Sequence, residues 1–278
     1  MHRMSFWPER WRPALAVAPA NDPTAFPPVL TADALVGGVP LATVLADAER
    51  CRAVATGLAP VALTLPRAGG VTAVLGRPEH PSAPLVVLIH EWWGLTDQIK
   101  AMAVHLAEAG YLTLAVDLMH GRIATTIDEA VALSAKVDGA TARETLIGWI
   151  EWGRNQESCD GRVGVLGWCF GGGLALMASL ATPVDATVIY SGLVKGTAAN
   201  LSALKGPVLG HFGSCDKFAP TNMVARFALE MQAAGRDFRH YIYNAGHGFA
   251  NPTGNHHHRE ETRLAWQRTL AFLAETLP

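Results

Sequence analysis

The sequence predicts an α/β fold, a mostly parallel twisted sheet with helices on both faces, and three observations carry that expectation. From about residue 60 onward, short continuous apolar runs such as Leu85-Val86-Val87-Leu88-Ile89 alternate with longer stretches of helical periodicity. Strands that are apolar on both faces belong to parallel sheets held between helix layers. The 278 residues are 50% hydrophobic and only 17% charged, which is enough apolar surface for one large core. Finally, Arg162-Val163-Gly164-Val165-Leu166 passes through Gly167-Trp168-Cys169-Phe170-Gly171-Gly172 into Leu174-Ala175-Leu176-Met177-Ala178, a strand that turns into a helix over small residues.

In chain order, residues 1–57 read as an N-terminal extension rich in Pro and Ala, with one helix expected across 41–50 and no nameable chemistry. Residues 58–278 form the domain that carries the chemistry. Within it, runs at 61–65 and 71–75 flank Arg67-Ala68-Gly69-Gly70 as a hairpin. A strand at 85–89 precedes a helix near 98–109, and a strand at 111–116 precedes helices across 127–137 and 140–153. A strand at 163–166 enters the helix after the glycine-rich turn. Strands at 186–190 and 208–212, a helix at 221–234, a strand at 238–243 and a helix from about 258 to 276 complete the pattern. Sheets of this kind place their sites at the carboxyl ends of the strands.

Composition narrows the partners. The formal charge of −2, from 22 basic and 24 acidic residues, gives no basic field for nucleic acid. No apolar run reaches the roughly 18 residues of a membrane-spanning helix, so no membrane partner is expected. A small organic substrate fits, taken up by a monomer or a homodimer. Cys51, Cys159, Cys169 and Cys215 are too few and too scattered for a disulfide framework, and none form CxxC. Reduced thiols and a cytoplasmic location follow as expectations. The basic start of the chain leads into an apolar stretch at 14–20 that is short for an export signal and broken by proline. Gly171-Gly172-Gly173 is not followed by Lys-Ser or Lys-Thr, which removes a P-loop. Consecutive histidines in Asn255-His256-His257-His258 splay apart, and no nearby Cys or paired carboxylate completes a tetrahedron. Neither a metal nor a cofactor is expected.

Each strand end is then a candidate site. Gly-x-Cys-x-Gly between a strand and a helix is the nucleophile-elbow arrangement of α/β-hydrolases, here with a thiol at Cys169. A buried, inert cysteine is the commoner use of that residue, but the turn and the helix N-terminus favour a reactive one. A thiol nucleophile needs a base and an orienting acid, which follow it in the order acid, then histidine. Asp216 and His247 occupy those places after the strands at 208–212 and 238–243. A helix cap is the alternative for Asp216, and an ordinary loop residue for His247. The oxyanion donors expected are the Phe170 N–H and one from His90-Glu91-Trp92-Trp93-Gly94, for which Trp92 is the choice. Glu91, between an apolar strand and two tryptophans, is expected to be partly desolvated, with a raised pKa and a hydrogen bond to the thiol. Trp93 is expected to line or cover the pocket.

His90-Glu91-Trp92-Trp93-Gly94-Leu95, Val116-Asp117-Leu118, Gly164-Val165-Leu166-Gly167-Trp168-Cys169-Phe170-Gly171-Gly172, Asp216 and Ala245-Gly246-His247-Gly248-Phe249 together resemble the dienelactone hydrolase (carboxymethylenebutenolidase) family, over roughly residues 60 to 277. The resemblance implies a Cys-His-Asp triad opening an enol-lactone without metal or cofactor, and a Glu91 that contacts the resting thiol and moves away as substrate arrives. It also implies two arginines that hold a substrate carboxylate. Arg122 can fill the first place, whereas Asn251 stands in the second and weakens carboxylate binding. The expected activity is hydrolysis of an ester or lactone through a thioester acyl-enzyme. A thiol carboxylesterase of broader specificity and a non-catalytic binding protein on the same scaffold are the alternatives.

Overall fold

The computed structural model describes residues 35–36, 39–40, 49–55 and 58–278. Most of the expected extension, including 41–48 of its expected helix, lies outside the described residues, and 49–54 are helical. A two-residue ladder pairs Leu35–Val36 with Val39–Pro40.

The hairpin forms as expected. β1 (Ala59–Leu65) and β2 (Gly69–Gly76) pair antiparallel about a turn in which Gly69 takes φ 68°, a backbone conformation that costs glycine nothing. There follow β3 (Ala83–Ile89), α1 (Asp97–Glu108), β4 (Leu112–Asp117), α2 (Ile127–Ser134), α3 (Gly139–Arg154), β5 (Cys159–Trp168) and α4 (Phe170–Ala181). The chain ends with β6 (Ala186–Tyr190), α5 (Ala198–Leu201), β7 (Val208–Gly213), α6 (Thr221–Ala233), β8 (Phe238–Tyr243) and α7 (Arg259–Thr276).

Every expected strand is present, and the differences are at the ends. β5 starts at Cys159 because its polar first residues carry no apolar signal yet still reach Ala83 of β3, across a register shift between Ala83 and Leu85. The four-residue α5 is too short for a periodic pattern; Thr197 caps it and Leu201 anchors it in the core.

The strands lie in the order β8-β7-β6-β5-β3-β4-β2-β1. β2 is antiparallel to β1 and β4, and all other neighbours are parallel. From β3 the chain moves to one side to make β4, then returns to the other side to make β5. The loops leaving β3 and β5 therefore diverge at adjacent strand ends, Ile89 beside Gly167, and open a crevice there. Leu85 to Ile89 are fully buried on both faces. Their odd members pack with Leu146, Trp149 and Leu174 from α3 and α4, their even members with Ile99 and Leu106 from α1 and Phe272 and Leu273 from α7.

One polar knot interrupts the α7 side. The Tyr190 hydroxyl meets Thr269 Oγ1 at 2.7 Å, Thr269 Oγ1 meets His211 Nε2 at 3.0 Å, and the Tyr243 hydroxyl meets His211 Nδ1 at 2.7 Å. Burial, and then the charge of Arg268, push the His211 pKa down to about 3. An unfolded histidine takes up its proton near pH 6.5, whereas the folded one refuses it until about pH 3. Stability is therefore full above that window and falls with pH inside it, by up to about 1.4 kcal/mol per pH unit from this group. Urea unfolding between neutral and acid pH should show that slope, and His211→Gln should flatten it. An unchanged slope in the variant rules out His211 as its source.

Candidate active site

Between the end of β5 at Trp168 and the start of α4 at Phe170, Cys169 stands alone with φ 51° and ψ −111°. Such a conformation costs a non-glycine residue roughly 1–3 kcal/mol, so the surroundings must impose it. They do so by close backbone approach. The Cys169 N–H donates to Tyr190 O at 2.8 Å, and Cys169 O accepts from the Gly172 N–H at 3.0 Å. A Cβ on Gly167 would strike the Gly171 carbonyl, and one on Gly171 would strike the carbonyls of Ile89 and His90. The thiol is thereby lifted out at the carboxyl end of the sheet.

The loop after β3 makes the facing wall. His90 is fully buried, and the Leu118 N–H donates to its Nε2 at 3.1 Å. Nε2 therefore carries no proton, and Nδ1–H donates to Glu91 O at 2.5 Å. Burial lowers the pKa of this imidazole against the Glu91 carbonyl and the charge of Asp117, in keeping with the neutral form. Asp117 in turn accepts from the N–H groups of Met119 and Gly121, which folds the loop after β4, and the Leu118–His90 bond fastens that loop to the one after β3. Glu91 is buried, and desolvation raises its pKa, opposed by the charge of His247 and the hydrogen bond from Asn251. Trp92 and Trp93 meet edge to face at 5.3 Å, both partly buried. The Trp92 N–H has no hydrogen-bond partner among the described residues.

Asp216 and His247 complete the assembly. Asp216 Oδ1 accepts from the Phe218 and Ala219 N–H groups, both at 2.8 Å, while Oδ2 lies 2.8 Å from His247 Nδ1. The other nitrogen, Nε2, is 3.0 Å from Cys169 Sγ. Burial pulls the His247 pKa down, but the Cys169 sulfur and the hydrogen bonds with Asp216 and Cys169 outweigh it and carry it well above the usual histidine range. Desolvation pushes Asp216 up, and the His247 and backbone hydrogen bonds overcome it, leaving its pKa lowered.

The structure thus gathers Cys169, Asp216 and His247 in one chain of hydrogen bonds and sets Glu91, Trp92, Trp93 and Phe170 around it. The cap alternative for Asp216 falls away, since α6 starts from Pro220. Two expectations need correction. Glu91 does not bond the thiol: its Oε2 accepts from Asn251 Nδ2 at 2.6 Å, while the thiol faces His247. Asn251 is no surface for substrate, because it is buried and its Oδ1 accepts from the Thr253 N–H and hydroxyl at 2.9 and 2.7 Å. Arg122 is exposed; its carbonyl packs against Gly94, which adopts φ 95°, and two residues on the Ala124 N–H donates to Trp93 O at 2.9 Å. His258 of the histidine run caps α7, accepting from the Glu261 N–H.

Two contributors had no signal in the sequence. One is His90, which accepts from the Leu118 N–H and donates to Glu91 O; the other is the Phe218 ring, 4.8 Å from the His247 ring. Gly171→Ala should destabilise the protein by about 1–3 kcal/mol, because the added methyl has only backbone to displace. Guanidinium unfolding checks this, and wild-type stability would show that the turn is less constrained than its geometry states.

The model of the dienelactone hydrolase family matches residues 71–277. Carboxymethylenebutenolidase 1 of Cupriavidus pinatubonensis is 28% identical over 225 residues, covering 77% of this chain and 95% of that protein. The carboxymethylenebutenolidase of Pseudomonas putida is 27% identical over 212 residues, covering 73% and 90%. The crystal structure of a dienelactone hydrolase-like promiscuous phosphotriesterase from metagenomic libraries shares the fold, with a TM-score of 0.71 at 22% identity over 80% of this chain and all of that one. With its sheet order, its elbow and this match over most of its length, the chain belongs to the dienelactone hydrolase family.

Proposed function

We propose that residues 58–278 form the catalytic unit of a thiol-dependent ester or lactone hydrolase in which Cys169 is the nucleophile, His247 the proton carrier and Asp216 the acid that orients it. Family membership and the carboxymethylenebutenolidase relatives support a hydrolase acting on carboxylic esters or lactones of small molecules. The observation that carries the finer reading is the unbroken chain from Cys169 Sγ to His247 Nε2, 3.0 Å, and from His247 Nδ1 to Asp216 Oδ2, 2.8 Å.

The thiol proton passes to His247 Nε2, 3.0 Å from the sulfur, and the hydrogen bond to Asp216 holds the resulting imidazolium. The sulfur attacks the acyl carbon, and the carbonyl oxygen takes the negative charge. The N–H groups of Phe170 and Trp92 receive that oxyanion. Collapse expels the alkoxide, which takes the proton from His247 and leaves a thioester on Cys169. A water molecule then gives its proton to Nε2 and attacks the thioester, releasing the acid product and the thiolate. Trp92 and Trp93 wall the acyl pocket, and Arg122 meets substrate at the rim. Asn251 holds the buried Glu91, a carboxyl that feels the charge of His247, rather than binding substrate. With Asn251 so committed, no second cation stands where the family resemblance expects one, which favours a substrate range wider than dienelactone.

Cys169→Ala should lower kcat/KM for activated aryl esters by roughly 10³-fold or more, and Cys169→Ser should recover little of it. Undiminished turnover by a clean alanine variant would remove Cys169 from the reaction. The imidazolium is the active form, so activity falls as pH rises through the His247 pKa. Asp216→Asn deletes a charge and weakens a hydrogen bond that hold this pKa up. It should therefore move the alkaline limb of the kcat/KM profile to lower pH and cost roughly 10²- to 10⁴-fold in rate. An alkaline limb that stays in place would mean that Asp216 does not act through His247.

A further inference from the structure

Two cavities flank the loop after β6, and Lys195 lines both. The larger, about 480 Å³, is walled by Lys195, Lys217, Phe218, Met223, Arg226 and Glu230. Its walls are continuous with the site. Lys217 and Phe218 directly follow Asp216, and one of the two hydrogen bonds that fix Asp216 Oδ1 comes from the Phe218 N–H. The Phe218 ring touches both the His247 ring and the cavity. On the opposite side, the loop bearing Lys195 leaves β6 at Tyr190, whose carbonyl holds the Cys169 N–H. One aromatic ring therefore separates the reacting centre from a cationic cleft.

The charge of that cleft is unbalanced. Lys217 and Arg226 enter no ion pair among the described residues. Glu230 Oε2 already accepts from the Ala198 N–H at 2.7 Å. Lys217 and Arg226 against one carboxylate that is already engaged leave the lining net positive, a complement to a phosphate monoester, which is close to a dianion at neutral pH. Pro220, also on the wall, opens α6 without a side-chain cap, so the N–H groups of its first turn add to the same field. Lysines are suited to phosphate as point charges, and the arginine as a fork.

We infer that this cleft is a subsite for a phosphate group carried by the substrate, at the end remote from the scissile carbonyl. The inference rests on Cys169 and His247 being the reacting centre. It assigns to this chain a phosphorylated ester as substrate class, recognised by Lys217 and Arg226, and separate from the rim at Arg122.

The test compares phenyl hexanoates whose acyl chain ends in a hydroxyl, a carboxylate or a phosphate monoester. Hydrogen bonds to a charged group predict a KM about tenfold or more lower for the phosphate ester than for the hydroxyl ester. Lys217→Ala and Arg226→Ala should each shrink that ratio, and the double variant should erase it. Equal KM values, a preference for the carboxylate ester, or a ratio that survives the double variant would overturn the subsite. A calorimetric titration with pentyl phosphate separates this from the catalytic reading, because it needs no turnover. Saturable binding lost in the double variant upholds the subsite whatever Cys169→Ala does. Absence of binding, or inorganic phosphate binding as tightly as pentyl phosphate, overturns it and leaves the role of Cys169 untouched.

Discussion

The backbone of α4 comes so close to the ends of β3 and β5 that nothing larger than hydrogen fits at Gly167 and Gly171, and the rest of the site depends on that contact. It forces Cys169 into a left-handed conformation that no local preference would select. It also seats the Cys169 N–H on Tyr190 of β6 and the Gly171 backbone against Ile89 and His90 of β3. The strain is therefore carried by the central strands of the sheet, whose residues are fully buried. In the proposed reaction a thiol fixed in this way loses little further entropy on attack, which is where positioned groups gain most of their effect.

Around that fixed point the polar groups are arranged in two tiers. Directly on the thiol, His247 is gripped at both ring nitrogens, so its rotation and its proton are set together. Behind it, the Asn251 amide holds Glu91 while His90 fastens the turn that carries Glu91. A carboxyl raised by burial and lowered by the charge of His247 is sensitive to whatever displaces water from the crevice. The same segment that positions Asp216 runs on into Lys217 and Phe218, so any ligand seated beside Phe218 is coupled mechanically to the acid that orients His247.

The strands, the order of the helices and the places of Cys169, Asp216 and His247 could be read along the chain because each leaves a local mark: a continuous apolar run, a glycine pair, a polar residue just past a strand. The burial of Glu91 between an apolar strand and two tryptophans was legible for the same reason. Its partner was not. Asn251 lies 160 residues away, in a loop whose sequence says only that it turns. Reading Asn251 as a poorer substitute for a cation was reasonable from position alone. In the fold its amide is spent on Glu91 and Thr253.

By itself, the sequence determined that a parallel sheet would form, that a thiol would stand at its crevice, and that an acid and then a histidine would follow on later strands. These are statements about one segment at a time, governed by periodicity and by the steric needs of glycine. Only the tertiary structure decided which groups meet: His247 on the thiol, Asn251 on Glu91, Leu118 on His90, and His211 among three hydroxyls. Those pairings join residues far apart in the chain, where the energy of a buried hydrogen bond depends on a partner no local pattern can name.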